Sequence, residues 1–299
     1  MHSIIGFSSL LASLTAVCLA LSIRAHLYPW TVRAAWSWMI AALLALTMNA
    51  VVSLPLVEAG GALVSWTAWF AATMLLTPLV TIPGARRPGI FAWHWFVVLP
   101  LVGVLQLPAI SQLYGNQGRS AIEVSAPAVM GIVVVLLMSA GALLGTRSSL
   151  FAIVYATGIG LLLIPRTTHT SFSALVSQSA PLFILFAIRS YRRNVLQQTT
   201  RLQMASTKSQ RLRIVIELFS GLYGISWAHR VCVRINQFGQ REKWTVQLTA
   251  TGFKRPDGTE PSDEELQQPH GTFVWVLSRF VDEDWLRRNT EDMPGQESV

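Results

Sequence analysis

Few side chains in this sequence could do chemistry, and their types restrict what it could be. Inside the apolar segments the polar candidates are three amides, Asn49, Gln106 and Gln178. An amide in hydrocarbon either hydrogen-bonds to a neighbouring helix or lines a polar path for a substrate. The first is the expectation here, because the second needs all three to converge at one depth. His94, between Trp93 and Trp95 and just after Arg86-Arg87, reads as an interfacial side chain. His169 has no second ligand near it in sequence with which to hold zinc. Glu217 and the pair His229-Arg230 are the only conceivable acid-base groups further on. Without a nucleophile or paired carboxylate, the histidine reads as structural. No catalytic residue, metal site or cofactor is therefore assigned. The first lysine is Lys208, which excludes a retinal Schiff base in the last apolar segment.

The elements that must position these groups follow from composition. Of 299 residues 52% are apolar and 13% charged, with a mean hydropathy of +0.46, against roughly 25% charged in soluble domains. That composition is an integral membrane protein's. Twenty positive side chains face four acids before residue 257, and three face eleven from there on, so the net charge of +8 conceals a basic body with an acidic end. No nucleic-acid reader motif accompanies the charge, and nucleic-acid binding is excluded on that ground. Cys18 and Cys232 fall on different sides of the expected membrane boundary and give no disulfide framework.

The expected fold class is an all-α membrane bundle of about seven transmembrane helices followed by a small cytoplasmic α+β module. The spans are 3–23, 34–57, 62–82, 90–110, 125–144, 149–164 and 172–188, within a membrane domain of residues 1–190. The first span lacks a preceding Lys or Arg and is read as a retained helix rather than a signal peptide. Arginine placement orients the bundle in the plasma (inner) membrane, with the N-terminus outside and the C-terminus cytoplasmic. Arg24, Arg33, Arg86, Arg87 and Arg147 then lie inside, against Arg119 and Arg166 outside. Tyr28, Trp30, Trp36, Trp38, Trp93 and Trp95 are expected as headgroup-level anchors, and Pro55, Pro78, Pro100 and Pro108 as helix ends or kinks. No ionisable residue sits at a central depth, which argues against a proton-coupled transporter.

Residues 191–213 are read as a basic juxtamembrane helical linker. Arg189, Arg192, Arg193, Arg201, Lys208, Arg211 and Arg213 would meet anionic headgroups, each worth about 1 kcal/mol near such a surface. Val195, Gln198, Leu202, Ala205, Ser209, Leu212, Ile216 and Phe219 also trace a weak heptad stripe, the alternative being a dimer seam. Residues 214–289 form the module. It opens with the apolar run 214–235, expected to dock rather than insert as an eighth span, and continues with a strand near 244–250 and a turn at Arg255-Pro256-Asp257-Gly258. A capping box at Ser262 and Glu265 follows, then a strand or buried helix at 273–277, a last helix from Asp282 and a disordered tail at 290–299. The functional expectation is a non-enzymatic sensor or receptor-like protein that signals by protein contact through this module. A membrane scaffold or accessory subunit is the alternative, and a transporter or membrane enzyme ranks third. Partners would be the lipid bilayer and either a cytoplasmic protein or a second copy of the chain.

Overall fold

The structure is a computed structural model that describes residues 2–57, 60–115, 126–163 and 172–291. Glu58, Arg119, Glu123, Arg166, His169 and residues 292–299 lie outside the described residues. The described residues are mostly helical, with one two-stranded sheet. Helices α1 (His2–Ile23), α2 (Arg33–Val52), α3 (Gly61–Met74) and α4 (Thr77–Thr81) open it, and a short turn at Ile82–Gly84 closes the first part. Next come α5 (Ile90–Trp93), a π-helical turn at His94–Val98, α6 (Leu99–Gly115), α7 (Ala126–Gly141) and α8 (Ser149–Leu163). The long α9 (Phe172–Met204) leads into α10 (Lys208–Tyr223), α11 (Ile225–Arg241), β1 (Gln247–Thr249), β2 (Gly252–Lys254), α12 (Gln267–Leu277) and α13 (Glu283–Thr290).

Among the described residues four stretches are long and apolar enough to cross a membrane: Ile5–Ile23, Arg33–Val52, Gly61–Gly84 and Ile90–Gln112. Pro127–Gly141 and Ser149–Leu163 are shorter apolar helices. The exterior of this half is apolar too. Leu11, Leu56, Phe96, Leu137, Met138 and Phe186 all stand exposed, a surface that suits lipid and would be costly in water.

Pro78 stands at a break between α3 and α4, and its neighbours repair the damage. Pro78 cannot donate to the Met74 carbonyl, and the Thr77 hydroxyl takes that carbonyl instead at 2.7 Å. Where α3 breaks, the freed Leu75 carbonyl accepts from the Tyr155 hydroxyl of α8 at 2.9 Å. Pro108 lies inside α6, and Pro181, not among the expected kinks, lies inside α9.

Several expected membrane anchors are core residues instead. Trp30 and Trp36 are 1% and 4% exposed; Trp36 donates to the Ala20 carbonyl at 2.8 Å and stacks on Tyr191 of α9 at 5.0 Å. Tyr191 packs on Trp36 and Val281 bridges to Trp30, partners that composition cannot distinguish from an interfacial belt. Tyr28 and Trp95 are exposed, as an anchor would be.

Helix α9 does not stop where the apolar run stops. Its 33 residues extend about 50 Å, some 20 Å more than a hydrocarbon core. The break falls at 205–207, where Thr207 caps α10 by accepting from the Gln210 amide, and α10 packs back on α9. The heptad stripe is thereby spent inside the chain: Val195, Gln198, Leu202, Ala205, Ser209, Leu212, Ile216 and Phe219 are all buried. The run 214–235 is likewise two helices, divided at Gly224 with φ of +88°. A Cβ there would also meet the Ala142 carbonyl oxygen at 2.4 Å, so only glycine fits the seat on the end of α7.

In the remainder, β1 and β2 form a tight antiparallel hairpin with Leu248 opposite Phe253. Asn236 of α11 exchanges two side-chain bonds with the Leu248 backbone, 2.9 Å and 2.8 Å, continuing the ladder on its open side. The 255–258 turn closes through Gly258 N–H to the Arg255 carbonyl at 2.9 Å. Ser262 and Glu265 cap each other reciprocally, one turn ahead of α12. Residues 273–277 are helical, and Asp282 caps α13. Thr290, expected in a disordered tail, is buried against His270 Nε2 at 2.8 Å.

Candidate functional site

The elements meet at one end of the bundle, where the α1–α2 loop, the α4–α5 loop and the C-terminal segment form a single buried junction. Trp30 makes an antiparallel bridge with Val281, Thr31 N–H donates to the Phe280 carbonyl at 2.8 Å, and Asp282 N–H to the Pro29 carbonyl at 2.8 Å. Arg87 N–H donates to the Arg279 carbonyl at 2.8 Å. The α10 end supplies the keystone, Tyr223. Its hydroxyl accepts from the Val32 amide at 3.1 Å, lies 2.8 Å from Thr31 Oγ1 and donates to the Phe280 carbonyl at 3.0 Å. Thr31 Oγ1 also bonds the Ala85 carbonyl. Burial pushes the Tyr223 phenol well above its usual range, against the smaller opposing pull of these hydrogen bonds. Phe219 stacks on it and Phe280 packs edge-on, with Trp227 edge-on to Phe280 and Trp285 edge-on to Trp30. One contiguous buried cluster runs from Ala16 to Leu286, so the C-terminal segment shares its core with the bundle.

A second set of contacts ties the α7–α8 loop to the same segment. Ser148 Oγ donates to the Gly221 carbonyl at 2.7 Å, and Ile225 N–H to the Ala142 carbonyl at 2.8 Å. Glu217 gathers Arg147 at 2.8 Å, Arg201 at 3.3 Å and Arg213 at 4.0 Å.

Between these ties lies a cavity of about 400 Å³ lined from both sides. Leu79, Ile82 and Trp93 of the bundle give it apolar walls, Ser139 lies at the α7 end, and Tyr223, Trp227 and Arg230 close it from the C-terminal segment. Gly84 permits the close approach of α5: a Cβ there would overlap the Trp93 ring at 1.9 Å. At the polar end the Trp227 ring carries two guanidiniums, Arg86 at 5.5 Å and Arg230 at 5.2 Å. Among the described residues no carboxylate lines the cavity. Positive charge on an aromatic plate thus stands beside an apolar slot.

The residues expected to do chemistry fall elsewhere. Asn49 Oδ1 accepts from Thr67 at 3.2 Å, and Asn49 and Gln178 line one small cavity among α1, α2, α3 and α9. Gln106 donates to Thr73 Oγ1 at 2.5 Å, two turns along α3 from Thr67, and its Oε1 has no partner. The three amides therefore do not converge at one depth. His94 stacks on Trp38, 6.3 Å away. His229 is exposed on α11, and the Cys232 thiol, one turn on, is pushed up to about 11 by burial.

The basic run divides. Arg189 and Arg193 are exposed, and Arg192 reaches the Ser22 hydroxyl at 3.1 Å. Arg201 and Arg213 face Glu217, and Lys208 is buried. Arg211 is also buried, donating to the Ala205 and Glu291 carbonyls at 3.1 and 2.7 Å. The junction residues Thr31, Tyr223, Trp227 and Phe280 carry no signal in their spacing, since each becomes meaningful only beside a partner 50 or more residues away. The chain matches no known protein family, no curated protein and no solved structure, so its arrangement stands on this geometry alone.

Proposed function

We propose that the chain is a non-enzymatic sensor of the plasma membrane with seven spans, an outside N-terminus and a cytoplasmic C-terminal segment. The three further crossings would be α7, α8 and the first half of α9. Arg24, Arg33, Arg86, Arg87 and Arg147 all gather at the end where the C-terminal segment sits, which supports that orientation. The observation that carries the sensor reading is the cavity lined jointly by bundle and C-terminal segment. An amphiphilic anion entering it from the bilayer would touch Trp93 and Ser139 on one side and Trp227 and Arg230 on the other. Binding energy spent there changes how the segment is seated, and a cytoplasmic protein reads the change by contact.

The test is hydrogen exchange on the full chain in nanodiscs, with oleate as the probe. Oleate is expected to protect residues 223–230 and 82–89 in the wild type, and Trp227→Ala to abolish the effect. If oleate changes neither exchange nor the set of proteins captured from membranes, the sensor reading fails and a fixed scaffold replaces it. Orientation is tested by single cysteines in a background of Cys18→Ser and Cys232→Ser. An impermeant maleimide on intact cells should label Gly60→Cys and not Ser206→Cys.

A further inference from the structure

A second concavity, on the other side of the Arg86-Arg87 pair, is independent of the sensor reading. It lies between the start of α2 and α5, with a volume of about 880 Å³, and Arg24, Arg33 and Arg87 line its mouth. Among the described residues no carboxylate lines it. Asp282 lines the neighbouring cavity with Arg33 and Arg87 and is used to cap α13 through the Trp285 amide. Three guanidiniums with no acid among them repel one another, and an anion among them relieves that repulsion.

Below the mouth the walls turn apolar. Ala34, Trp38 and Ala41 lie along one face of α2, and Ile90 and Phe91 of α5 oppose them. From Arg33 to Ala41 is about 12 Å along the helix axis, a little under half of a hydrocarbon core. Exposed rings suited to the headgroup layer stand at this stretch: Phe91 of the lining is 77% exposed, Trp95 and Phe96 just beyond His94 are 67% and 81% exposed, and Tyr28 stands beneath Arg33 at 5.2 Å. The π-turn at His94–Val98 re-aims this stretch, so that His94 stacks on Trp38 and lines the apolar wall.

We infer that this concavity holds an anionic phospholipid, its phosphodiester among Arg24, Arg33 and Arg87 and one acyl chain along Trp38 and Ala41. A free phosphate shares the headgroup chemistry but has no use for the apolar wall. The exposed rings at this stretch open the site to lipid rather than to water.

The test is native mass spectrometry of the full chain released from nanodiscs of equimolar phosphatidylglycerol and phosphatidylcholine. The wild type is expected to retain phosphatidylglycerol over phosphatidylcholine. Each guanidinium near an anionic group contributes about fivefold, so Arg24→Gln/Arg33→Gln/Arg87→Gln together should reduce that preference by tenfold or more. Ser37→Trp fills the slot and keeps all three charges. Its hydroxyl bonds only within its own helix, to the Arg33 carbonyl, so the fold should survive while retention falls. Arg189→Gln/Arg192→Gln/Arg193→Gln should leave retention at the wild-type level. Excess inorganic phosphate should not displace the lipid; displacement would mean a free-anion site and overturn the lipid assignment. Wild-type retention in the triple variant of the mouth, or loss confined to the variant at 189, 192 and 193, would overturn it as well.

Discussion

Replacing Tyr223 by Phe removes one oxygen from the buried junction and leaves its ring stack intact. Two of the three partners keep a second bond: Thr31 Oγ1 retains the Ala85 carbonyl, and the Phe280 carbonyl retains the Thr31 amide at 2.8 Å. The buried Val32 amide loses its acceptor, and a stranded buried donor costs about 1–3 kcal/mol. A value near 2 kcal/mol corresponds to roughly a thirtyfold rise in the population with the junction open. The assay is hydrogen exchange in nanodiscs at neutral pH. Amides of 278–286 and of the second half of α10 should lose about thirtyfold in protection, while those in the centres of α2 and α8 keep theirs. Unchanged exchange at 278–286 would refute the hydroxyl as the keystone. An equal loss in α2 and α8 would refute local opening and mean that bundle and C-terminal segment unfold as one unit.

Glu217→Gln leaves Arg147, Arg201 and Arg213 facing a neutral group; with these arginines about half to one-third exposed, a loss of about 1–2 kcal/mol is expected, read as a lower melting temperature in detergent. Gly224→Ala puts a Cβ at φ +88° against the Ala142 carbonyl and should cost about 1–3 kcal/mol or more in the same melt, whereas Gly258→Ala, with φ +84° but open space around it, should cost less. The Glu265 carboxyl is held down to about 2, first by the Arg255 guanidinium and then by the Ser262 amide. Its contribution is therefore complete above its ordinary value of 4.5 and is lost as pH falls toward 2. Arg255→Gln should flatten the acid-side loss of protection in 252–266 over that window. Gln106→Leu removes a bond to Thr73 together with an unpartnered buried oxygen, and as membrane hydrogen bonds average about 0.6 kcal/mol it should leave the melt within about 1 kcal/mol of wild type.

Much of the local structure is legible in the chain because its causes are local. The cap at Asp282, the reciprocal Ser262 and Glu265 pair and the turn closed by Gly258 each depend on residues within four positions of one another. The long apolar helices are legible for the same reason, since length and composition set whether a segment can lie in hydrocarbon. The destination of a side chain is not local. Trp30 and Trp36 stand at the start of an apolar helix, where an aromatic belt would stand, and only the packing of Tyr191 and Val281 against them makes them core. The amides Asn49 and Gln106 each found a threonine of α3, and no spacing along the chain reveals which threonine, or that the two pairs lie about 9 Å apart along it.

The same reasoning explains why the end of the apolar run at residue 188 is not a structural boundary. A segment of this size is marginal in the apolar surface it can bury alone, and its Tyr223 and Trp285 rings face the bundle. Trp30, from the loop after α1, packs on both of those rings, and α9 carries the chain past the boundary without a break. A core completed by both parts couples them: whatever alters the seating of Trp30 or of the 82–89 loop alters the free energy with which the C-terminal segment is held. Arg86 and Arg87 stand in that loop, one guanidinium lining each of the two acid-free cavities. An anion in either would therefore pull on the same short connection, and occupancy of the lipid site would shift the affinity of the junction cavity, and the reverse by the same factor. Measuring oleate binding in nanodiscs with and without phosphatidylglycerol decides this. Identical affinities would mean that the two arginines act separately, and a shift lost in Arg87→Gln would tie the two sites through the loop.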